Sequence, residues 1–335
     1  MTFQDWLTES KDRIDDYGVR TGGAEAAKAF WTGILSRIGR EWNYGTSIWE
    51  RDWKVLLVLD TCRPDVLEEV AADYEFLPPS VPTMNSLGSA SPEWLAKNFT
   101  REYASDHLSE INETAYVTAN LFSDGLEPED AFPDATFDPD LFALCDEVWR
   151  YGWDDEYDTT PPDAMADRAI AVHRDHDPDR LIVHFMQPHT PYRTLYEKYP
   201  EWFDSTHTGD EDDAPHRRDR DWRLWERLRH NVISRDEVWD AYKDNLRWVL
   251  DEGVEPILEN VDADTVAITA DHGEAFGEWG LYAHPHHAPA PVLKRVPWVT
   301  TSATDAGTYE PQLEPDDTML ADDEVSDRLE ALGYK

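Results

Sequence analysis

Three apolar runs in this chain end abruptly in polar groups. Lys54–Leu59 reads KVLLVL, suited to a strand buried on both faces, and it stops at Asp60-Thr61-Cys62-Arg63-Pro64-Asp65. Leu181–Met186 reads LIVHFM and stops at Gln187-Pro188-His189-Thr190-Pro191-Tyr192. Thr265–Thr269 is short and β-branched, and leads into Asp271-His272-Gly273-Glu274. Gly273 allows a sharp turn there. Weaker strands are expected at Ala115–Thr118 and Lys294–Val299. Between the strands lie helical patterns: Val66–Asp73, opened by Pro64 in its first turn, Asp163–His176, and Asp236–Asn260 as one amphipathic helix or two. A short helix, Asp323–Leu332, is expected in the acidic tail. Alternating strands and helices predict an α/β fold whose ligands sit beyond the carboxyl ends of the strands. His184, inside the second run, reads as a hydrogen-bonded core histidine.

The first 50 residues are expected to be helical. Ala27, Phe30, Trp31, Ile34, Leu35 and Ile38 form an apolar stripe at three- to four-residue spacing. A helical extension (1–50) packed on the main domain (51–335) explains the stripe; a membrane-surface or partner helix is the alternative. No linker or internal repeat divides the remainder. Glu127–Asp140 is an acidic surface loop. Residues 193–235 are the least regular portion, with an acid run at Gly209–Asp213 and an Arg-, Trp- and Leu-rich stretch at Arg217–Arg229. A segment of that kind suits a lid or recognition insertion.

Charge narrows the partners. The 335 residues carry 71 acidic against 30 basic side chains, a net charge of −41 spread along the whole chain. Such a surface repels itself at ordinary salt, whereas molar salt screens it to about 3 Å. The balance predicts a halophilic, cytoplasmic protein. With 40% hydrophobic residues and 15 Trp the chain can build a core, which argues against an acidic disordered scaffold. Nucleic-acid binding is disfavoured by the same charge. Cys62 and Cys145, the two cysteines, support neither a disulfide framework nor a Cys-based zinc site. No stretch reaches the ~18 apolar residues that span a bilayer, and no secretory apolar core opens the chain, so no transmembrane segment is expected.

Asp271 and His272 would offer a divalent cation one hard oxygen and one borderline nitrogen; read alone, the pair could equally be an ordinary polar strand end. Asp60 is a second carboxylate delivered by a strand, and His189 a second imidazole. Ser91-Pro92-Glu93 follows a Pro-, Ser- and Gly-rich segment and reads as a helix start with Ser91 as N-cap. A hydroxyl at a helix N-terminus is also well placed to attack phosphorus or sulfur, because free N–H groups stabilise anionic oxygens.

Taken together, DTCRPD at 60–65, the hydroxyl of Ser91 in GSASPEW, HFMQPHTPY at 184–192, TADHGEAFGEWGLYAHP at 269–285 and LKRVPWV at 293–299 resemble the alkaline phosphatase superfamily. The likeness is strongest to its branch of sulfatases and phosphoglycerol and phosphoethanolamine transferases. It covers roughly residues 52–300, and the closing DRLEALGYK is similar to the end of many sulfatase-like chains. The resemblance implies a three-layer αβα fold around a mostly parallel sheet, and a metal-dependent hydrolase or transferase of phosphate or sulfate esters. It places Asp60, Asp271 and His272 on a divalent metal, with Ser91 as both ligand and alkoxide nucleophile and Ser89 as the rival hydroxyl. Zn or Mn is favoured by the mixed ligand set, with Ca or Mg the alternatives. It assigns His189 and His284 to the substrate's anionic group or to a second metal, for which His286 is also at hand. Arg63 and Asp65 continue the early motif, Arg63 as a substrate contact or, better, a brace; Thr61 fits a bracing hydroxyl.

Two departures shape the expected chemistry. Typical sulfatases convert Cys or Ser within C/S-x-P-S-R to formylglycine. Cys62-Arg63-Pro64-Asp65-Val66 keeps only the C-x-P part and Ser91-Pro92-Glu93 lacks the S-R, so an unmodified serine is expected. No D-x-x-x-H completes the two-metal site of alkaline phosphatases, which predicts a single permanent metal. The expected substrate is a small anionic ester, glycan- or lipid-linked. The alternatives are a sulfate ester hydrolase without formylglycine, and a non-catalytic member that binds an anion or a partner protein.

Overall fold

The computed structural model describes residues 3–125, 132, 135–202, 223–316 and 320–333. The strands, in chain order, are β1 (Val55–Leu59), β2 (Thr83–Asn85), β3 (Thr114–Thr118), β4 (Leu144–Glu147), β5 (Arg180–Phe185), β6 (Ala263–Thr269), β7 (Ala275–Phe276), β8 (Tyr282–Ala283) and β9 (Arg295–Ala303). Seven of them form one sheet in the order β2-β9-β6-β1-β5-β3-β4, while β7 and β8 pair as a separate hairpin. The KVLLVL run becomes β1, and all five of its residues are buried between parallel neighbours. Val55 lies opposite Leu181 of β5 and Val266 of β6, and Leu57 opposite Val183 and Ile268. Strands β3 and β4 extend the parallel set beyond β5; β9 and β2 close the other edge antiparallel. Helices flank this mostly parallel sheet, giving the alkaline phosphatase-like αβα arrangement.

The parallel register puts the carboxyl ends of β6, β1, β5 and β3 along one rim. The ends of these strands are buried and give way to polar groups within a few residues, so the burial that forms the sheet also aims the chemistry. Among the helices, α1 (Phe3–Glu41) precedes β1, α2 (Pro64–Val70) follows it, and α3 (Ser91–Phe99) starts beside its end. Pro64 stands in the first turn of α2, as its fixed φ favours. The helix expected over 236–260 is continuous, with Arg235–Val249 passing through a π turn at Leu250–Val254 into Glu255–Asn260. Strand β4, LCDE, has no apolar run to announce it and is half-exposed. Short helices occupy Arg193–Lys198 and Leu224–Arg229; the acid run Gly209–Asp213, most of the lid segment, and 127–131 of the acidic loop lie outside the described residues.

The contacts of α1 differ from the expected ones. Gly39 comes so close to the domain that a Cβ would stand 1.7 Å from the His287 carbonyl oxygen. Ser36 Oγ donates to the His286 carbonyl at 2.7 Å, and Leu35 is buried with Leu281, Ala288 and Leu293. These residues fix which side of the helix faces inward. Of the apolar stripe, Leu35 is therefore buried, while Phe30, Trp31, Ile34 and Ile38 are exposed.

Candidate active site

Asp60 directly follows β1, and Asp271 follows β6 by two residues; both are fully buried. Thr61 holds them in relation. Its φ of 64° is left-handed, a sterically costly state for a β-branched residue. The turn aims Thr61 N–H at Asp271 Oδ1 at 3.2 Å, and Tyr242 Oη donates to the Thr61 carbonyl at 2.6 Å. Thr61 Oγ1 folds back onto the Asp60 carbonyl at 2.6 Å, as a brace would.

Ser91 Oγ lies 3.0 Å from Asp60 Oδ2 and 3.1 Å from His272 Nε2. The expected N-cap role is corrected here. Ala90 occupies the cap position with extended backbone and no side-chain bond, and Ser91 is the first helical residue. Its hydroxyl points to the two strand ends instead of the helix's own N–H groups. Ser89 is committed elsewhere: its Oγ donates to Glu93 Oε2 at 2.8 Å and accepts from Ala288 N at 2.9 Å.

Assigning the His272 ring proton to Nδ1, which donates to the Gly273 carbonyl at 2.9 Å, leaves Nε2 a free lone pair. That nitrogen is 3.6 Å from Asp60 Oδ1 and 3.3 Å from Asp271 Oδ2. These two carboxylate oxygens are buried and have no hydrogen-bond partner among the described residues. An unpaired buried carboxylate oxygen is costly, and two facing one imidazole nitrogen fit a divalent cation. Ligand atoms of Asp60, Asp271 and His184 also lie within 4.8 Å of one another. His184 is thus more than a satisfied core residue. Its Nδ1 meets Tyr116 Oη at 2.9 Å, while its Nε2 faces Asp271 Oδ2 at 3.8 Å.

Electrostatics bear the same mark. Burial, then the neighbouring Asp271 charge, pushes the Asp60 carboxyl well above its ordinary range, against hydrogen bonds from Ser91 and Asn120. Burial also raises Asp271, but His272 and His184 outweigh it and its net direction is down. Two carboxylates this close resist sharing two negative charges without a cation.

A second buried set adjoins the first. Ligand atoms of His189, Glu274 and His284 lie within 4.8 Å of one another, and His284 Nδ1 is 3.2 Å from both Glu274 oxygens. The rings of His272 and His284 are 4.7 Å apart, which joins the two sets. Burial lowers His189 to about 3 and His284 to about 4, so both are neutral at pH 7 and able to ligate. Burial raises Glu274 to about 7. His286 stands in the same loop and is lowered to about 4, again chiefly by burial. Arg63 has the contacts of a brace: its guanidinium is 2.6 Å from Asp65, 2.9 Å from Glu278 and 3.0 Å from the Glu274 carbonyl. Cys62 is buried with its Sγ against the Arg63 carbonyl.

Two site residues escaped the sequence reading. Asn120, past the end of β3, donates to Asp60 Oδ2 at 3.1 Å; a lone Asn after a weak strand carries no signal. Glu274 had one, the last position of the DHGE turn, and only its side-chain direction was missing.

Residues 122–316, more than half of the chain, match the sulfatase family. That stretch holds His189, Asp271, His272, Glu274 and His284, while Asp60 and Ser91 precede it. No curated protein matches the chain. Among solved structures it is similar to the soluble domain of lipooligosaccharide phosphoethanolamine transferase A from Neisseria meningitidis, with 21% identity over 73% of this chain and 75% of that one and a TM-score of 0.45. The integral membrane form of that transferase from Neisseria meningitidis matches at 18% identity over 90% of this chain and 59% of that one, with a TM-score of 0.47. The periplasmic domain of phosphoethanolamine transferase EptC from Campylobacter jejuni gives 20% identity, coverages of 74% and 78%, and a TM-score of 0.40. By the match over 122–316, the chain belongs to the sulfatase family.

Proposed function

We propose that this chain is a metal-dependent hydrolase or transferase of phosphate esters, with Ser91 as nucleophile. The observation that carries the reading is the convergence of Ser91 Oγ, Asp60, Asp271 and His272 around buried, unpartnered carboxylate oxygens. Asp60, Asp271 and His272 would hold the cation, with Zn or Mn suiting the ligand set and His184 or Asn120 steadying the carboxylates. When bound, such an ion supplies positive charge that acidifies a hydroxyl and offsets charge on the transferring group.

The chain's own residues do the rest. The Ser91 hydroxyl lies 3.0 Å from Asp60 Oδ2, so its proton can leave toward that carboxylate as Oγ attacks, while His272 Nε2 is kept for the cation. The new Oγ–P bond forms as the ester oxygen departs and takes up a proton. Water or an acceptor alcohol then displaces Ser91 from phosphorus. His189, His284 and Glu274 face the anionic group or hold a second cation, and Arg63 braces the turn through Asp65 and Glu278. The substrate class we favour is a small ester on a glycan or lipid head group.

Sulfate ester hydrolysis is the second reading, favoured by the family match itself. The buried Cys62, held against the Arg63 carbonyl beside Asp60, is not placed as a formylglycine precursor. A panel of aryl phosphate mono- and diesters and aryl sulfates, with Mn or Zn in molar KCl, separates the two. Phosphate turnover with a covalent adduct on Ser91 is expected; turnover of sulfate esters alone would select the second reading, and turnover of neither would reject both.

A further inference from the structure

Among the described residues nine large hydrophobic side chains are exposed, and most of them cluster. Phe30, Trp31, Ile34 and Ile38 lie on the second half of α1, and Trp42 continues its last turn through a 2.9 Å bond from its N–H to the Ile38 carbonyl. Trp279 is beside them, its carbonyl accepting from Trp31 Nε1 at 3.1 Å. Ile34, Ile38 and Trp42 recur every fourth residue, so they line one side of the helix. That side adjoins the one carrying Leu35 and Gly39 and is open to solvent. Trp42 and Trp279 are each 61% exposed.

Charge runs against the rest of the chain here. Residues 26–43 hold three basic side chains, Lys28, Arg37 and Arg40, and one acid, Glu41, in a protein of net charge −41. At 3.6 residues per turn, Arg37 and Arg40 border the apolar ridge on one flank and Glu41 stands in line with Ile34, while Lys28 falls on the packed side with its Nζ over the Tyr282 ring. No described helix is long and apolar enough to cross a membrane. An apolar strip with tryptophans at its end and basic residues along its outer border is the pattern of a helix lying in a bilayer interface.

We propose that the outer face of α1, with Trp42 and Trp279, docks this chain on the surface of an anionic lipid membrane. Local charge complementarity decides for lipid over a second copy. Two copies paired ridge to ridge would bring Arg37 and Arg40 of each together. Anionic head groups instead meet those cations at the ridge border. Docking also orients the candidate site, since Ser36 and Gly39 touch the loop that carries His284, His286 and His287. That consequence rests on the function proposed above; the docking does not, and vesicle binding is read without turnover.

The test is flotation of the full chain, checked by circular dichroism to be folded at the salt used, at physiological ionic strength with phosphatidylcholine vesicles containing one-third phosphatidylglycerol, and with phosphatidylcholine alone. The wild type should float with the anionic vesicles. The triple variant Ile34→Ser, Ile38→Ser, Trp42→Ser should partition roughly tenfold or more weakly. Arg37→Gln with Arg40→Gln should cost roughly tenfold on anionic vesicles and little on neutral ones. These side chains are exposed, and an unchanged thermal midpoint certifies the fold of each variant. The proposal is overturned if the wild type stays unbound, or if the triple variant floats equally well. It is overturned too if light scattering finds a dimer that the triple variant converts to monomer, which would make the ridge a contact between copies.

Discussion

Helix α3 touches two buried clusters of charge that differ in one respect. Ser91 faces the Asp60, Asp271 and His272 cluster, where two carboxylate oxygens find no partner among the described residues. Two residues on, Glu93 faces the other way into a cluster where both of its own carboxylate oxygens are bonded. Its carboxylate accepts from Ser89 N and Oγ and from His287 N, and pairs with Lys97 at 2.5 Å. Lys294 completes that neighbourhood, donating to Asn43 Oδ1 and the Leu87 carbonyl. Although burial pushes Glu93 up, His287, Lys97 and Lys294 outweigh it and hold it well below the ordinary range. Both clusters cost desolvation, but the second is neutralised within the protein and the first awaits charge from outside. The Glu93 cluster secures the architecture, fixing the 285–288 loop to the start of α3; the Ser91 cluster is where a ligand belongs.

Breaking each cluster should therefore do different damage. Ser91→Ala should lower turnover by at least about a thousandfold with the thermal midpoint nearly unchanged. Ser89→Ala should cost far less activity, its hydroxyl being held by Glu93 and Ala288. Steady-state kinetics and melting curves on both variants check this. Glu93→Ala should have the opposite profile. Removing Glu93 strips Lys97 of its ion-pair partner and Ser89 and His287 of their acceptor, at about 3 to 5 kcal/mol of stability, and urea unfolding at fixed KCl measures it. Metal binding by the folded fraction should survive.

Metal addition separates the clusters next. A cation that binds only the folded chain stabilises it by about 2.7 kcal/mol at a hundred times its Kd. The wild type should gain this with Zn or Mn and lose it with chelator, while Asp60→Asn should respond little to either. Without metal, Asp60→Asn should melt at or slightly above the wild-type midpoint, because it relieves the repulsion with Asp271.

The smallest effect concerns pH. Burial, aided by Lys97 and only partly opposed by Glu93, holds Lys294 down from 10.5 to about 7. Between those values the unfolded chain binds more protons than the folded one, so stability rises with pH over that window. Lys294's contribution is complete above its unfolded value and is lost as pH falls toward 7. Lys294→Met should flatten the slope between pH 7 and 9.5, measured by urea midpoints.

Much of the site was legible because a parallel sheet converts local pattern into position. Apolar runs at Lys54–Leu59, Leu181–Met186 and Thr265–Thr269 had to be central strands, and whatever followed them had to meet at one rim. Asp60, His189, Asp271 and His272 were found that way. What stayed hidden depends on contacts between distant segments. Asn120 matters because β3 lies beside β5, and His184 because its inner nitrogen faces Asp271. The neighbours of Ser91 in sequence suggest a cap, whereas the turn of its hydroxyl toward Asp60 is a contact across the fold. The stripe on α1 gave the helix but not its orientation, since Gly39 and Ser36, not the large apolar residues, set the packed side.

The central claim is that the Ser91 cluster is a metal site built around the nucleophile. Anomalous diffraction from crystals grown with Mn or Zn tests it most directly. A peak at about 2.0 to 2.3 Å from Asp60, Asp271 and His272, with Ser91 Oγ at or next to the ion, is the expected result. A peak confined to other residues, or none while Asp60 and Asp271 share a proton in a closed pair, would contradict the account.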